Sequence, residues 1–333
     1  MRVLGIETSC DETAAAVVED GKIVSNVVSS QVKLHSEFHG IVPELASRAH
    51  LQKIAAVIEA ACSKTTGKLD GVAYTRGPGL MGPLLVGKVA AQTFARILDV
   101  PLIPVHHLEG HIFAVELVDA LAFPLVALIV SGGHTDLVLA KAPGRYRVLG
   151  RTRDDAAGEA YDKVARLLGL GFPGGPVVDR MAKEGDPSAV AFPRPLMPGT
   201  WDFSFAGLKT SVLYHVQGRG GTDQLKPREI NDLCASFQDA IVDTLVHKLL
   251  RAAEAFKVQN VSIGGGVAAN SRLRAVVAAR AAEKGLRMVM PPPGLCTDNG
   301  AMIAQVGIHR MTSGRIDKRL RCDPSLPFPN WAA

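Results

Sequence analysis

Residues 3–28, VLGIETSCDETAAAVVEDGKIVSNVV, carry two apolar runs, 3–6 and 14–18, on either side of a small polar turn that begins at Glu7 and ends at Thr13. Asp20-Gly21 follows, a pair suited to the positive φ angles of a two-residue type I′ hairpin, and a third strand-like run covers 23–28. The stretch predicts a three-stranded meander. A similar order returns later as an apolar run at 124–130, a turn Ser131-Gly-Gly-His-Thr-Asp136, a strand at 137–140, a Pro143-Gly144 turn and a returning run at 146–149. Strand, small polar turn with a Thr and an Asp, strand, turn, strand thus occurs twice, about 125 residues apart, and is read as an internal duplication.

Outward from these copies, strands and helices alternate. Apolar positions Leu45, Ala49, Ile54, Val57, Ile58 and Ala61 recur at helical spacing over 43–64, followed by a buried strand at 71–75, a loop at 76–83, a helix at 84–97 and a strand at 102–105. Beyond the second copy come a helix at 156–168, a Gly- and Pro-rich break at 169–176, an aperiodic inserted loop at 192–204 and a polar break at 218–222. A long helix at 228–256, a strand at 261–263, the turn Gly264-Gly265-Gly266, an Ala-rich helix at 268–284 and a strand at 287–290 complete the alternation. Asp298 is placed to N-cap a last helix ending near 311. The pattern predicts an α/β fold with helices packed on the sheets, in two domains, 1–115 and 116–333, with a central cleft. An insertion is placed around 190–225, and the last helix, about 298–312, is a candidate to pack back on the first domain.

Composition narrows the function classes. With 333 residues, 47% hydrophobic and 21% charged, the chain can build sizeable cores, and Gly plus Pro stay below the level of low-complexity sequence. No stretch approaches the roughly 18 consecutive apolar residues of a membrane span, and the N-terminus lacks the apolar core of a signal peptide, so the chain is expected to start at Met1 and stay in the cytoplasm, without a membrane partner. Five scattered cysteines form no Cys-x-x-Cys and suggest neither a disulfide frame nor a thiolate zinc knuckle. A net charge of +5 permits a polyanionic partner without demanding one.

The candidate chemistry sits in the turns and one histidine pair. Both meander turns offer small residues and backbone N–H groups of the kind that bind phosphate, and 263–270 adds a Gly-rich turn suited to a flat base and ribose. That turn is not the Rossmann G-x-G-x-x-G. Together the three favour a nucleotide cleft over three unrelated turns. His107 and His111 stand at i and i+4 of a predicted helix, on one face and within reach of one cation. His35 and His39 share that spacing but are assigned to surface or loop structure, because only the later pair follows a strand end, where α/β clefts form. Asp298 is the candidate third ligand. The zincin pattern His-Glu-x-x-His is absent, for Glu109 lies at i+2, about 200° around the helix from His107, and points away from a metal-bound water. His134 can touch a ligand or merely fix its turn, Asp162 and Asp179 read on position alone as solvated helix carboxylates, and the basic run Arg310, Arg315, Lys318, Arg319 and Arg321 reads as a solvated tail whose only nucleic-acid role would be phosphate contact.

Ten motifs spread along the chain, GIETSCDET (5–13), GIVPELASRAH (40–50), TRGPGLMGPLLVG (75–87), VHHLEGH (105–111), VSGGHT (130–135), AAGEAYDKVARLLGL (156–170), FPGGP (172–176), DFSFAGLKT (202–210), GGGVAAN (264–270) and CTDNGAMIA (296–304), resemble the bacterial TsaD family of tRNA N6-adenosine threonylcarbamoyltransferases. The resemblance implies a duplicated actin-like, sugar-kinase-like ATPase fold. It implies one divalent metal ion per subunit, Fe2+ first and Zn2+ as the alternative, on His107, His111 and Asp298. Threonylcarbamoyl-AMP, or an adenine nucleotide, would contact Val130, Ser131, Gly132, Gly133, His134, Asp162, Gly175, Asp179 and Asn270, with the nucleotide also near Ser9, Gly264, Gly265 and Gly266. In the implied reaction N6 of adenosine 37, in a tRNA reading codons that begin with A, attacks the carbamoyl carbon and AMP leaves. Asp11 and Glu12 are the candidate carboxylates for the N6 proton. A TsaB-like paralogue and a TsaE-like ATPase are the implied partners. The competing reading is an actin-like ATPase interaction module without transferase chemistry, and a metalloprotease comes third.

Overall fold

The computed structural model describes residues 1–38 and 40–331. In chain order the first elements are β1 (Arg2–Glu7), β2 (Glu12–Glu19), β3 (Lys22–Ser30), α1 (Val32–Ser36), α2 (Pro43–Cys62), β4 (Gly71–Gly77), α3 (Met81–Leu98), β5 (Leu102–His106) and α4 (His107–Phe113). Then come β6 (Leu125–Val130), β7 (Thr135–Ala142), β8 (Arg145–Arg151), α5 (Ala157–Leu167), α6 (Gly174–Ala182), α7 (Ala206–Gly218) and α8 (Pro227–Ala255). The chain closes with β9 (Asn260–Gly264), α9 (Ser271–Glu283), β10 (Arg287–Val289), α10 (Pro293–Cys296) and α11 (Gly300–Thr312).

Two five-stranded sheets form, ordered β3-β2-β1-β4-β5 and β10-β9-β6-β7-β8. In each, a meander leads with a strand that is antiparallel to the next and parallel to a later one: β1 pairs β2 and β4, and β6 pairs β7 and β9. Reversing one strand list superposes the two topologies, which is the structural counterpart of the repeat in the sequence. Asp20 and Gly21 take φ of 48° and 78°, the pair of positive angles a type I′ turn needs.

The described chain divides into two compact units, one of Met1–Leu121, Pro143–Tyr146 and the segment from Gly294 onward, the other of Ala122–Ala142 and Arg147–Pro293. In the first, strand alternation sends Leu4 and Ile6 into a core with Val17 of β2 and with Ile54, Ile58 and Leu84 of α2 and α3. Each such buried aliphatic side chain contributes roughly 1.5–3 kcal/mol. Gly5, on the other face, lies against α11: a Cβ there would stand 2.2 Å from the Gly300 carbonyl oxygen. Glycines at 5 and 300 therefore let the last helix seat directly on the sheet. In the second unit β6, LVALIV, is buried throughout, as expected of a strand covered on both faces.

Several local readings change. α3 begins at Met81 rather than 84, and α9 begins at Ser271 after a 3-10 turn, Gly266–Ala269. Helices α1 and α6 occupy stretches too short or too Gly-rich to show periodicity, whereas α7, with Leu208, Val212 and Val216 on its buried face, carries a periodic signal that the sequence reading passed over. The aperiodic segment 192–204 has no helix or strand of its own. Among the described residues, no helix is long and apolar enough to cross a membrane.

Candidate active site

Strand β5 ends at His106, whose extended backbone opens α4, and the helical turn then places His107 and His111 on one face with ring centroids 4.7 Å apart. The third member arrives at the start of α11. Asn299, not Asp298, is the N-cap of that helix, its side chain accepting the Met302 N–H at 3.1 Å. Asp298, one position earlier, is thereby left to face α4: its Oδ1 stands 3.5 Å from His107 Nε2 and 3.2 Å from His111 Nε2. One ligand atom from each of the three residues lies within 4.8 Å of the others.

This donor set fits a divalent cation. Two donors each about 2.1 Å from one ion, at a tetrahedral angle, stand about 3.4 Å apart. Nδ1 of His111 is buried without a hydrogen-bond partner among the described residues, and Nε2, equally buried, meets Asp298 Oδ1 at 3.2 Å, an approach suited to a shared cation. On His107, burial alone would lower the imidazole pKa, but Asp298 and Glu7 outweigh it and raise the group to about 9.

The turn after β1 supplies the carboxylates. Glu12 is pushed far above the usual carboxylate range, first by burial, then by the charges of Asp11 and Asp298 and by a hydrogen bond with Asp11. His50 of α2 holds this turn, with Nε2 3.0 Å from the Cys10 carbonyl oxygen and Nδ1 2.8 Å from Thr13 Oγ1. Its own pKa is lowered by burial, which keeps the ring neutral and able to accept from Thr13. Ser9 is buried and engaged, its N–H donating to Glu7 Oε1 and its hydroxyl 3.2 Å from His107 Nδ1.

Glu109 has a separate occupation. It is fully buried, accepts a hydrogen bond from the Tyr146 hydroxyl at 2.8 Å and pairs with Arg310 at 3.0 Å. That geometry agrees with the argument against a zincin mechanism. It also corrects the reading of Arg310, which is buried under the Trp331 ring at 4.3 Å and takes no part in an exposed basic run.

In the second unit, the turn after β6 closes on itself through Ser131 N–H to the His134 carbonyl at 2.8 Å and His134 N–H to Ser131 Oγ at 3.1 Å. Gly132 and Gly133 border open space. The turn after β9 lies against the end of β6: Gly265 has φ of 88°, and a Cβ on it would stand 2.3 Å from the Val130 carbonyl oxygen. Gly264 is buried beside it, and Gly266 opens the 3-10 turn. Asn270 caps α9 through Leu273 N–H at 2.9 Å and donates to Gln238 at 2.6 Å. Asp162 and Asp179 are not merely solvated. Asp162 accepts the Gly174 N–H at 2.7 Å, tying α5 to α6, and Asp179 accepts from the Ser271 hydroxyl at 2.8 Å, tying α6 to α9. Gly175 faces open space.

The surface assignment of His35 is overturned. It is buried on α1, with Nε2 3.2 Å from Gln31 Oε1, whereas His39 lies outside the described residues. Glu7 and His50 are site residues that the sequence reading missed. His50 carried a signal, since it falls on the apolar face of α2 with Ala46, Ile54 and Val57, and Glu7 is a carboxylate ending a buried strand.

Comparison with known proteins bears on the fold and the family. Among solved structures, HypF from T. kodakarensis aligns with a TM-score of 0.62 at 16% identity, over 94% of this chain and 48% of that one. The activator of the 2-hydroxyisocaproyl-CoA dehydratase from Clostridium difficile aligns with a TM-score of 0.53 at 14% identity, over 96% and 99%. At such identities the likeness concerns the fold, the actin-like, sugar-kinase-like ATPase architecture. The tRNA N6-adenosine threonylcarbamoyltransferase of Anaeromyxobacter dehalogenans (strain 2CP-C) is 52% identical over 332 residues, 97% of this chain and 98% of that protein. The protein of the same name from Geobacillus thermodenitrificans is 51% identical over 98% of this chain and 96% of its own length. The family described as TsaD, tRNA N6-adenosine threonylcarbamoyltransferase, matches residues 22–305, and with full-length relatives at half identity the chain belongs to that family.

Proposed function

We propose that the chain carries out its family's transfer of a threonylcarbamoyl group to N6 of adenosine in tRNA at a site built from the turn after β1 and the set His107, His111 and Asp298. Membership of the family carries the reaction class, an acyl transfer with tRNA and nucleotide substrates, and disfavours an ATPase interaction module without transferase chemistry. The convergence of the three ligand atoms supports the site. The proposed donor is threonylcarbamoyl-AMP and the proposed acceptor adenosine 37 of tRNAs that read codons beginning with A.

The resident ion is proposed to be Fe2+, with Zn2+ as the alternative, because imidazole and carboxylate donors suit both. When bound, it would supply positive charge next to the transferring group and the leaving phosphate. The chain's own residues handle the proton. N6 forms its bond to the carbamoyl carbon, the bond from that carbon to the phosphate oxygen breaks, and AMP leaves with the electron pair. The N6 proton must go to a base, and the burial and neighbouring charge that hold Glu12 above the usual carboxylate range support Asp11 as the acceptor, with Glu12 as its hydrogen-bonded neighbour.

Open space at Gly132, Gly133 and Gly175 supports these as places where a ligand approaches bare backbone, and the juxtaposed turns at Val130 and Gly265 support an adenine subsite at Gly264, Gly265, Gly266 and Asn270. Asp162 and Asp179, anchored within the second unit, and His134, from its turn, are proposed to contact substrate. For Ser9, whose own groups are engaged, the proposed part in nucleotide binding is shaping the phosphate-side turn. A TsaB-like paralogue and a TsaE-like ATPase are proposed partners. The test is a reconstitution with those partners, unmodified tRNA and threonylcarbamoyl-AMP, followed by digestion and mass spectrometry for threonylcarbamoyladenosine. Product that depends on this chain supports the reading, and its absence with active partners contradicts it.

A further inference from the structure

We infer that Glu7 is a positioning residue for the metal site, orienting His107 so that Nδ1 carries the proton and Nε2 is presented to the ion. The inference rests on the proposed metal-binding role of His107, His111 and Asp298. It begins with strand periodicity. On β1, Leu4 and Ile6 enter the core with α2 and α3, so Gly5 and Glu7 share the opposite face, the one on which α11 lies. A carboxylate at the end of that row is carried toward α4 and the entry to α11, where the ligands are.

Glu7 is fully buried, and its contacts define its state of use. Oε1 accepts the Ser9 N–H, and Oε2 accepts the Thr75 hydroxyl at 2.6 Å. Oε2 also lies 3.0 Å from His107 Nδ1. With an amide and a hydroxyl both donating to it, the carboxylate serves as an acceptor, and Nδ1 is the remaining donor. The Ser9 hydroxyl, 3.2 Å from the same nitrogen, then shares that N–H as a second acceptor. Nε2, on the far side of the ring, faces Asp298 Oδ1 at 3.5 Å, the side on which the ion would sit. A ligating histidine whose other nitrogen donates to a carboxylate is fixed in ring orientation and made a better donor to the metal, and losing such a partner typically weakens metal binding 10- to 100-fold.

The test uses the full chain with Zn2+ as probe. Zn2+ affinity is measured by competition with a chromophoric chelator for the wild type, Glu7→Gln, Glu7→Asp and His111→Ala, alongside the melting temperature of each metal-free protein and the 15N spectrum of the histidine rings. The inference predicts that Glu7→Gln raises the Zn2+ Kd roughly 10- to 100-fold. It also predicts that the metal-free melting temperature stays within about 3 °C, and that in the Zn2+-loaded protein the His107 Nδ1–H resonance shifts as its charged acceptor is lost. A Kd within about twofold of wild type overturns it, as does a loss of affinity matched by collapse of the metal-free fold in Glu7→Gln and Glu7→Asp alike. If the wild type binds Zn2+ no more tightly than His111→Ala, the metal reading itself is overturned and this inference with it. Tight wild-type binding that Glu7→Gln leaves unchanged overturns the inference alone.

Discussion

Asp298 Oδ1 lies 3.2 Å from His111 Nε2 because its neighbour Asn299 takes over the capping of α11. Had Asp298 capped the helix, its carboxylate would be spent on backbone N–H groups. The division of labour between two adjacent residues separates a structural duty from a ligand duty, and the two can be tested apart.

Replacing His111 or Asp298 by Ala should leave a purified protein without stoichiometric metal, measured by elemental analysis. Asn299→Ala should retain the metal and lose about 1 kcal/mol of unfolding free energy, the usual worth of a cap. Full metal occupancy in His111→Ala would remove it from the ligand set.

Asp11→Asn should slow single-turnover transfer by about 10²–10⁴-fold, the range for a general base, with binding of threonylcarbamoyl-AMP retained. Glu12→Gln, which mimics the protonated side chain, should slow transfer by less and also retain binding. The reverse ranking would make Glu12 the base.

Breaking the Glu109–Arg310 pair leaves one buried charge unmatched. Arg310→Ala should destabilise the protein by about 3–5 kcal/mol in urea unfolding, because both partners are buried. Glu109→Gln, in contrast, should keep transfer per folded molecule near wild type, and a loss of activity as large as that of Asp11→Asn would reopen the zincin comparison.

Asp136 gives a pH signature. Burial, only partly offset by Arg151, raises its pKa from 3.8 to about 6. The folded state therefore holds the proton more tightly than the unfolded chain, so this group favours folding most below about pH 4, and that contribution falls as pH rises through about 6. The shift corresponds to a loss of order 3 kcal/mol. Unfolding free energies of wild type and Asp136→Asn measured from pH 4 to 7 should converge at the acid end and separate toward neutrality, with the Asn variant the more stable there. Parallel curves would contradict the assignment.

Periodicity and turn chemistry are local, and they make the repeated meander, the Asp20-Gly21 hairpin and the His107–His111 face legible in the sequence alone. Asp298 was also legible as a ligand candidate, but its cap role was misassigned because Asp and Asn cap almost equally well. His35 was misplaced because a histidine between two elements reads as loop unless its partner Gln31 is known to share a buried turn. Glu7, Glu109 and Arg310 owe their roles to partners distant in sequence: Thr75 and His107 for the first, each other and Tyr146 for the others. Such pairings are tertiary facts with no spacing rule to announce them.

The most direct test of the transfer site is to quantify threonylcarbamoyladenosine by mass spectrometry in tRNA incubated with threonylcarbamoyl-AMP and the proposed partners, comparing the wild-type chain, Asp298→Ala and no chain. The account predicts abundant product with wild type and none above background in the other two. Equal product from wild type and Asp298→Ala, or from the mixture lacking the chain, would contradict it.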